Sequence, residues 1–194
     1  VIKMTASKWL IFLLILLVPS IVLASAAEWR MIPEESSITF TGIQNGAPAS
    51  GSFKKFSSVI NLDPAQLNDS KVRIVIDMNS VSTSFSDFAA TLITADWFNT
   101  KLFPQAIFES KQFVKIGDNK YQGNGTLTIR GKTEPVSITF VTEALSKNKG
   151  RVKGSVTLKR TTFGIGQGEW ADTDAVKDEV QVDFVITADK NASG

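Results

Sequence analysis

The chain has 194 residues, 43% of them hydrophobic and 21% charged, with a formal net charge of +2 and neither cysteine nor histidine. The absence of Cys excludes disulfides, thiolate nucleophiles, sulfur-built zinc sites and lipidated cysteines; the absence of His excludes a Ser-His-Asp triad and any imidazole ligand. Without a block of basic residues the chain also lacks the electrostatic footprint of a nucleic-acid binder.

Residues 1–27 read as a secretory signal peptide. Lys3 and Lys8 form a positive start, Trp9 to Val18 is an unbroken apolar run, and Ala24-Ser25-Ala26 or Ser25-Ala26-Ala27 supplies the small residues that a signal peptidase needs. The apolar run is shorter than the ~20 residues that span a bilayer, so cleavage is expected to leave no stable membrane anchor. The leader takes two of the 21 basic residues and none of the 19 acidic ones, so residues 28–194 carry a formal charge of zero. That remainder is expected to be one domain in a periplasmic or secreted compartment.

From Ile38 onward, apolar and polar residues alternate with the period of two that marks strands with one buried face. Ile38 and Phe40 open the series, and Ile60 with Leu62 follows. Over residues 71–79, Val72, Ile74, Ile76 and Met78 share one face, with only Val75 out of pattern. Residues 84–98 break the rule, spacing Phe85, Phe88, Leu92 and Ala95 by threes and fours; this predicts one short amphipathic helix with Ser84 or Ser86 as N-cap. The alternation resumes with Tyr121, Leu127 and Ile129, then Val136, Ile138 and Phe140, then Val152, Val156 and Leu158, and finally Val180, Val182, Phe184 and Ile186. Turn signals at Gln44-Asn45-Gly46, Asp63-Pro64, Gly117-Asp118-Asn119, Arg130-Gly131-Lys132 and Lys147 to Gly150 separate the runs. About eight strands, short connections and one helix predict an all-β protein, an antiparallel barrel in preference to a sandwich, since closure removes exposed edges.

Polar motifs offer little chemistry. Gly164-Ile165-Gly166-Gln167-Gly168 has neither the preceding strand nor the following helix of a dinucleotide loop, and reads as an inter-strand loop. Asp172, Asp174 and Asp178 fit a calcium loop badly, because Val176 and Lys177 stand where an oxygen ligand and a glycine are needed. Asp77 and Asp183 fall on the polar faces of their strands. No cofactor or metal site is indicated. The candidate site is the apolar file itself: Phe40, Ile74, Ile76, Met78, Phe88, Leu92, Tyr121, Leu127, Ile129, Ile138, Phe140, Val156, Leu158, Val182 and Phe184. Gly123, Gly125 and Gly154 share inward parity with these files, which suggests spare room in a barrel near the size that holds one small ligand.

The order of motifs resembles the YceI-like family. It is carried by residues 32–40 (Ile32-Pro33-Glu34-Glu35 through Phe40), Gly51-Ser52-Phe53, Thr94-Ala95-Asp96-Trp97-Phe98, residues 103–110, residues 125–136 and residues 160–166. The resemblance implies an exported, lipocalin-like barrel that encloses the tail of a polyisoprenoid or isoprenoid quinone, with residues 84–98 near its mouth and no catalysis. Many relatives carry histidine where this chain has Glu35 and Thr91 or Leu92, so a head-group contact of that kind is expected to be missing. Two other readings stay open: an enzyme acting on such a lipid through Tyr121, Arg130 or Arg160 with a carboxylate, and a filled barrel that works only through protein contacts. The sequence also leaves a homodimer open.

Overall fold

The computed structural model describes residues 27–191; the signal-peptide reading therefore lies almost entirely outside the described residues. The strands are β1 (Glu28–Met31), β2 (Ser37–Gln44), β3 (Ala47–Phe53), β4 (Phe56–Asn61), β5 (Lys71–Asp77), β6 (Val81–Thr83), β7 (Gln105–Lys115), β8 (Lys120–Ile129), β9 (Lys132–Ala144), β10 (Lys149–Lys159) and β11 (Glu179–Lys190), with one α-helix, α1 (Ser86–Leu92), between β6 and β7. Six of these pieces are halves of three bent strands. β1 continues into β2 through a turn at Pro33–Glu35, β3 into β4 through Lys54 and Lys55, and β5 into β6 through a turn at Met78–Ser80. Counted this way there are eight staves, each antiparallel to the next, and β11 closes the ring by pairing with both β2 and β1.

The closing seam shows how the switch is made. β11 pairs with β2 over Gln181–Val185 and with β1 over Ala188–Lys190. Between them the ladder is interrupted, and Thr187, which is wholly buried, is satisfied by other groups. Its backbone N–H donates to Ser36 Oγ at 3.0 Å, its hydroxyl donates to the Glu35 carbonyl at 3.0 Å, and its carbonyl accepts from the Ile32 N–H at 2.8 Å. Buried backbone groups must find partners, and here a serine and a threonine supply them where a strand changes neighbour.

The barrel has two ends. At the upper end lie the β2–β3 and β8–β9 turns, α1 and the long connection from Arg160 to Asp178; at the lower end lie the β7–β8 and β9–β10 turns and the β4–β5 connection. Two-residue turns at Asn45-Gly46 and Arg130-Gly131 have positive φ at both positions, the twist that suits tight hairpins. Each end has an apolar cluster: Phe40, Met78, Leu92, Trp97, Phe98 and Phe163 above, Phe113, Tyr121 and Phe140 below.

Two expectations need correcting. The helix spans only Ser86–Leu92, starts at Phe85 without a side-chain cap, and leaves Phe85 75% exposed. It stops because the chain doubles back: the Phe98 N–H donates to the Leu92 carbonyl at 2.9 Å, Asn99 takes a positive φ, and Trp97 and Phe98 enter the barrel end. The inward glycines are sockets rather than empty space. A Cβ on Gly154 would lie 2.4 Å from the Phe184 ring and 2.5 Å from the Thr139 carbonyl, and one on Gly123 would lie 3.0 Å from Phe113. At Gly125 the obstacle is backbone, the Glu109 carbonyl at 2.0 Å, where the bulge between Ser110 and Gln112 brings β7 close and resets its parity so that Phe113 points inward.

Candidate functional site

The inward faces enclose a cavity of about 1130 Å³. Away from the rims its wall follows the period-two pattern: residues on the inward faces of β2, β5, β7, β8, β9, β10 and β11 reach it, while their neighbours in sequence face out. Of the fifteen residues singled out in sequence, Phe40, Ile74, Ile76, Met78, Phe88, Leu92, Leu127, Ile129, Ile138, Phe140, Val156, Leu158, Val182 and Phe184 lie on the wall. Tyr121 does not. It is buried behind the wall, with its ring stacked on Phe140 at 5.8 Å and 21°.

Other wall residues escaped the sequence reading. Val72 shares the parity of Ile74 and Ile76, so period two alone could have added it to the site, whereas Phe108 lies on β7, from which no residue was selected. Trp97, Phe98, Phe163, Ile165 and Trp170 come from irregular segments between strands, where no periodicity points to them. They cap the upper end.

That cap is built around Arg160, which is 3% exposed. Its guanidinium donates to the carbonyls of Lys177 (3.2 Å), Ile165 (2.9 Å), Asp172 (2.6 Å) and Val176 (2.8 Å), drawing both limbs of the 164–178 loop onto one side chain. Its Cζ also lies 5.9 Å from the Trp97 ring, within cation–π range. Burial draws the Arg160 pKa down, with Asp178 and Asp172 acting in the opposite direction. Gly164, Gly166 and Gly168 all have positive φ, and a Cβ on Gly166 would lie 2.2 Å from Arg160 Nη1. The glycines of this loop thus let the backbone close around an arginine, and the loop is part of the site's wall rather than a mere connector. Asp178 accepts hydrogen bonds from the Thr161 N–H (3.0 Å) and hydroxyl (2.8 Å); burial raises its pKa, but these bonds, with Lys159 and Arg160, outweigh that and leave it lowered.

The other polar groups considered for chemistry are also engaged. Arg130 Nη1 donates to the carbonyls of Ala95 and Trp97 (the latter at 2.9 Å), tying the turn after α1 to the β8–β9 hairpin. Glu35 is not on the cavity wall; its carboxylate lies 2.6 Å from Lys149 Nζ and 3.9 Å from Arg151 Nη2, two residues of the lower rim. Thr91 lies on the cavity wall beside the mouth, but its hydroxyl donates back to the Asp87 carbonyl at 2.9 Å. Polar and charged lining gathers at the two ends: Gln44, Asn45, Ser50, Ser84, Asp87, Thr91 and the capping Arg160 above, Thr142, Glu143, Ser146, Lys147, Lys149 and Arg151 below. Between the rims the wall is aliphatic and aromatic, a surface that stays dry and favours an apolar guest.

The YceI-like domain profile matches residues 29–188. Protein YceI of Salmonella arizonae is 35% identical over 88 residues, 45% of this chain and 46% of that protein, so the match spans about half the length of such relatives. The crystal structure of Burkholderia cenocepacia BcnA is similar over 81% of this chain and 99% of that one, with 34% identity and a TM-score of 0.78. The Campylobacter jejuni YCEI protein covers 73% and 85% of the two chains at 26% identity and a TM-score of 0.65. A polyisoprenoid-binding domain from Saccharophagus degradans, implicated in plant cell wall breakdown, covers 87% and 100% at 14% identity and a TM-score of 0.65, a likeness of fold alone. The profile runs through nearly every strand of the closed barrel, and the chain belongs to the YceI-like family.

Proposed function

We propose that this protein is an exported, non-catalytic binding protein that holds one apolar lipid, a polyisoprenoid or isoprenoid quinone, inside its barrel for storage, shielding or transport. The observation that carries the reading is the cavity: about 1130 Å³, walled along its middle by Ile, Val, Leu, Met and Phe, with polar and charged side chains gathered at its two ends. That volume exceeds the ~300–1,000 Å³ range of pockets for drug-sized ligands, and its course along the barrel suits a chain rather than a compact molecule. Each buried methylene contributes roughly 0.8 kcal/mol, so a few isoprene units offset the costs of association. The open interior counts against a filled barrel. Support for a non-catalytic role is that Arg130 and Arg160 hold backbone carbonyls and Tyr121 lies off the wall. Export is supported by the leader-like pattern of residues 1–27.

Native mass spectrometry of the protein purified from its own cell envelope or medium tests the reading. A stoichiometric adduct that organic extraction identifies as an isoprenoid, on a chain lacking the leader, is the expected result. A lipid-free mass that persists after incubation with polyisoprenoids would overturn it.

A further inference from the structure

Exposed aliphatic side chains at the lower end gather on two adjacent hairpin tips. Val114 and Ile116 on the β7–β8 hairpin are 46% and 47% exposed, and Val141 and Leu145 on the β9–β10 hairpin are 43% and 37% exposed. The ladder places them together. The Ile116 N–H donates to the Lys120 carbonyl, Lys120 pairs with Val141, and Val141 pairs with Lys153, so Ile116, Lys120, Val141 and Lys153 form one row across the outer wall, with Val114 two residues from Ile116 on the same face. The tips are tied to each other by the Thr142 N–H, which donates to the Asn119 carbonyl at 2.8 Å.

Charge distinguishes this patch from exposed Phe85 and Leu102 at the upper end. Lys120 and Lys153 stand in the row itself and Lys147 is on the second tip, against Asp118 and Glu143, and Glu143 lies 3.6 Å from Lys153. The opposite side of the same end mixes both signs, Glu28, Asp63, Asp69 and Asp189 with Arg30, Lys71 and Lys190. At the upper end, exposed Phe85 and Leu102 stand near Asp87 and Asp96 in sequence, with Lys101 as the nearest cation along the chain. Protruding aliphatics interspersed with lysines complement one surface in particular, an anionic bilayer, where apolar side chains enter the headgroup boundary and each lysine adds attraction.

We infer that the tips of the β7–β8 and β9–β10 hairpins dock on the surface of an anionic lipid bilayer. Ser146 and Lys147, at the second tip, also line the lower rim of the cavity. Docking therefore brings one end of the cavity to the membrane.

The test is co-sedimentation of the purified protein with vesicles of phosphatidylcholine alone and of phosphatidylcholine with phosphatidylglycerol, over a range of salt. Binding only to the anionic vesicles, weakening as salt rises, is expected. Lys120→Gln with Lys147→Gln lowers the partition on the order of twenty-fold, about five-fold per lysine, and Ile116→Ser with Val141→Ser lowers it at every salt concentration. Both pairs are exposed, and near-ultraviolet circular dichroism checks that the variants remain folded. Binding to neither vesicle, equal binding to both, or indifference to both variant pairs overturns the inference. So does a dimer in sedimentation velocity that Ile116→Ser dissociates, which would assign the patch to a second copy. Native mass spectrometry of the same samples reads the cavity's contents separately, so failure of docking and failure of lipid binding are distinguishable.

Discussion

Single residues in this barrel act by where the backbone needs them. Arg160 is the clearest case, since its removal strands several buried carbonyls at once, each costing ~1–3 kcal/mol. Arg160→Met is expected to destabilise by about 3 kcal/mol or more in urea unfolding, and Arg160→Lys is not expected to rescue it, because an ammonium cannot reproduce the planar fork. Gly154 tests the socket account. If the glycine were free space, Gly154→Ala would be harmless; with Phe184 and the Thr139 carbonyl in the way, it should cost about 1–3 kcal/mol, read in the same assay. Asp178 has a lowered folded-state pKa, so its contribution is present above the unfolded carboxylate pKa and is lost as pH falls through the folded value. Acid unfolding followed by tryptophan fluorescence should therefore show a shallower loss below about pH 4 in Asp178→Asn, which starts from lower stability at neutral pH.

At the scale of elements, what was legible was the strand. Period two placed the inward faces of β5, β8, β9, β10 and β11 correctly, because side-chain direction in a strand is fixed by local geometry whatever lies opposite. The helix was found but drawn too long: Phe85, Phe88, Leu92 and Ala95 fit a helical face, yet the tertiary demand that Trp97 and Phe98 plug the barrel end turns the chain at Leu92. The bulge at Ser110 and Gln112 was invisible for a similar reason, since an inserted residue only registers against a partner strand. The wall element with most leverage over contents is the middle of β5. Ile74→Trp adds bulk inside the cavity and should displace or shorten the bound chain while leaving the fold intact, measured by extraction and mass spectrometry of the co-purified lipid.

For the molecule as a whole, a ligand held only by the native state raises stability by mass action, about 2.7 kcal/mol at one hundred times its Kd. Delipidated protein should therefore melt roughly 5–10 °C lower than loaded protein, and adding a polyisoprenoid should restore the difference; an unchanged melting temperature after verified reloading would show that the bound chain contributes nothing to stability. The sequence by itself determined the class of the fold and most of its wall, because an alternating pattern commits each strand to one buried face, and it determined the excluded chemistries, because Cys and His are absent. Only the tertiary structure decided how eight staves close through the Thr187 seam, which glycines are filled by neighbouring rings, and how Arg160 folds an irregular loop into the cap. Those depend on contacts between residues distant in the chain, and no local period records them.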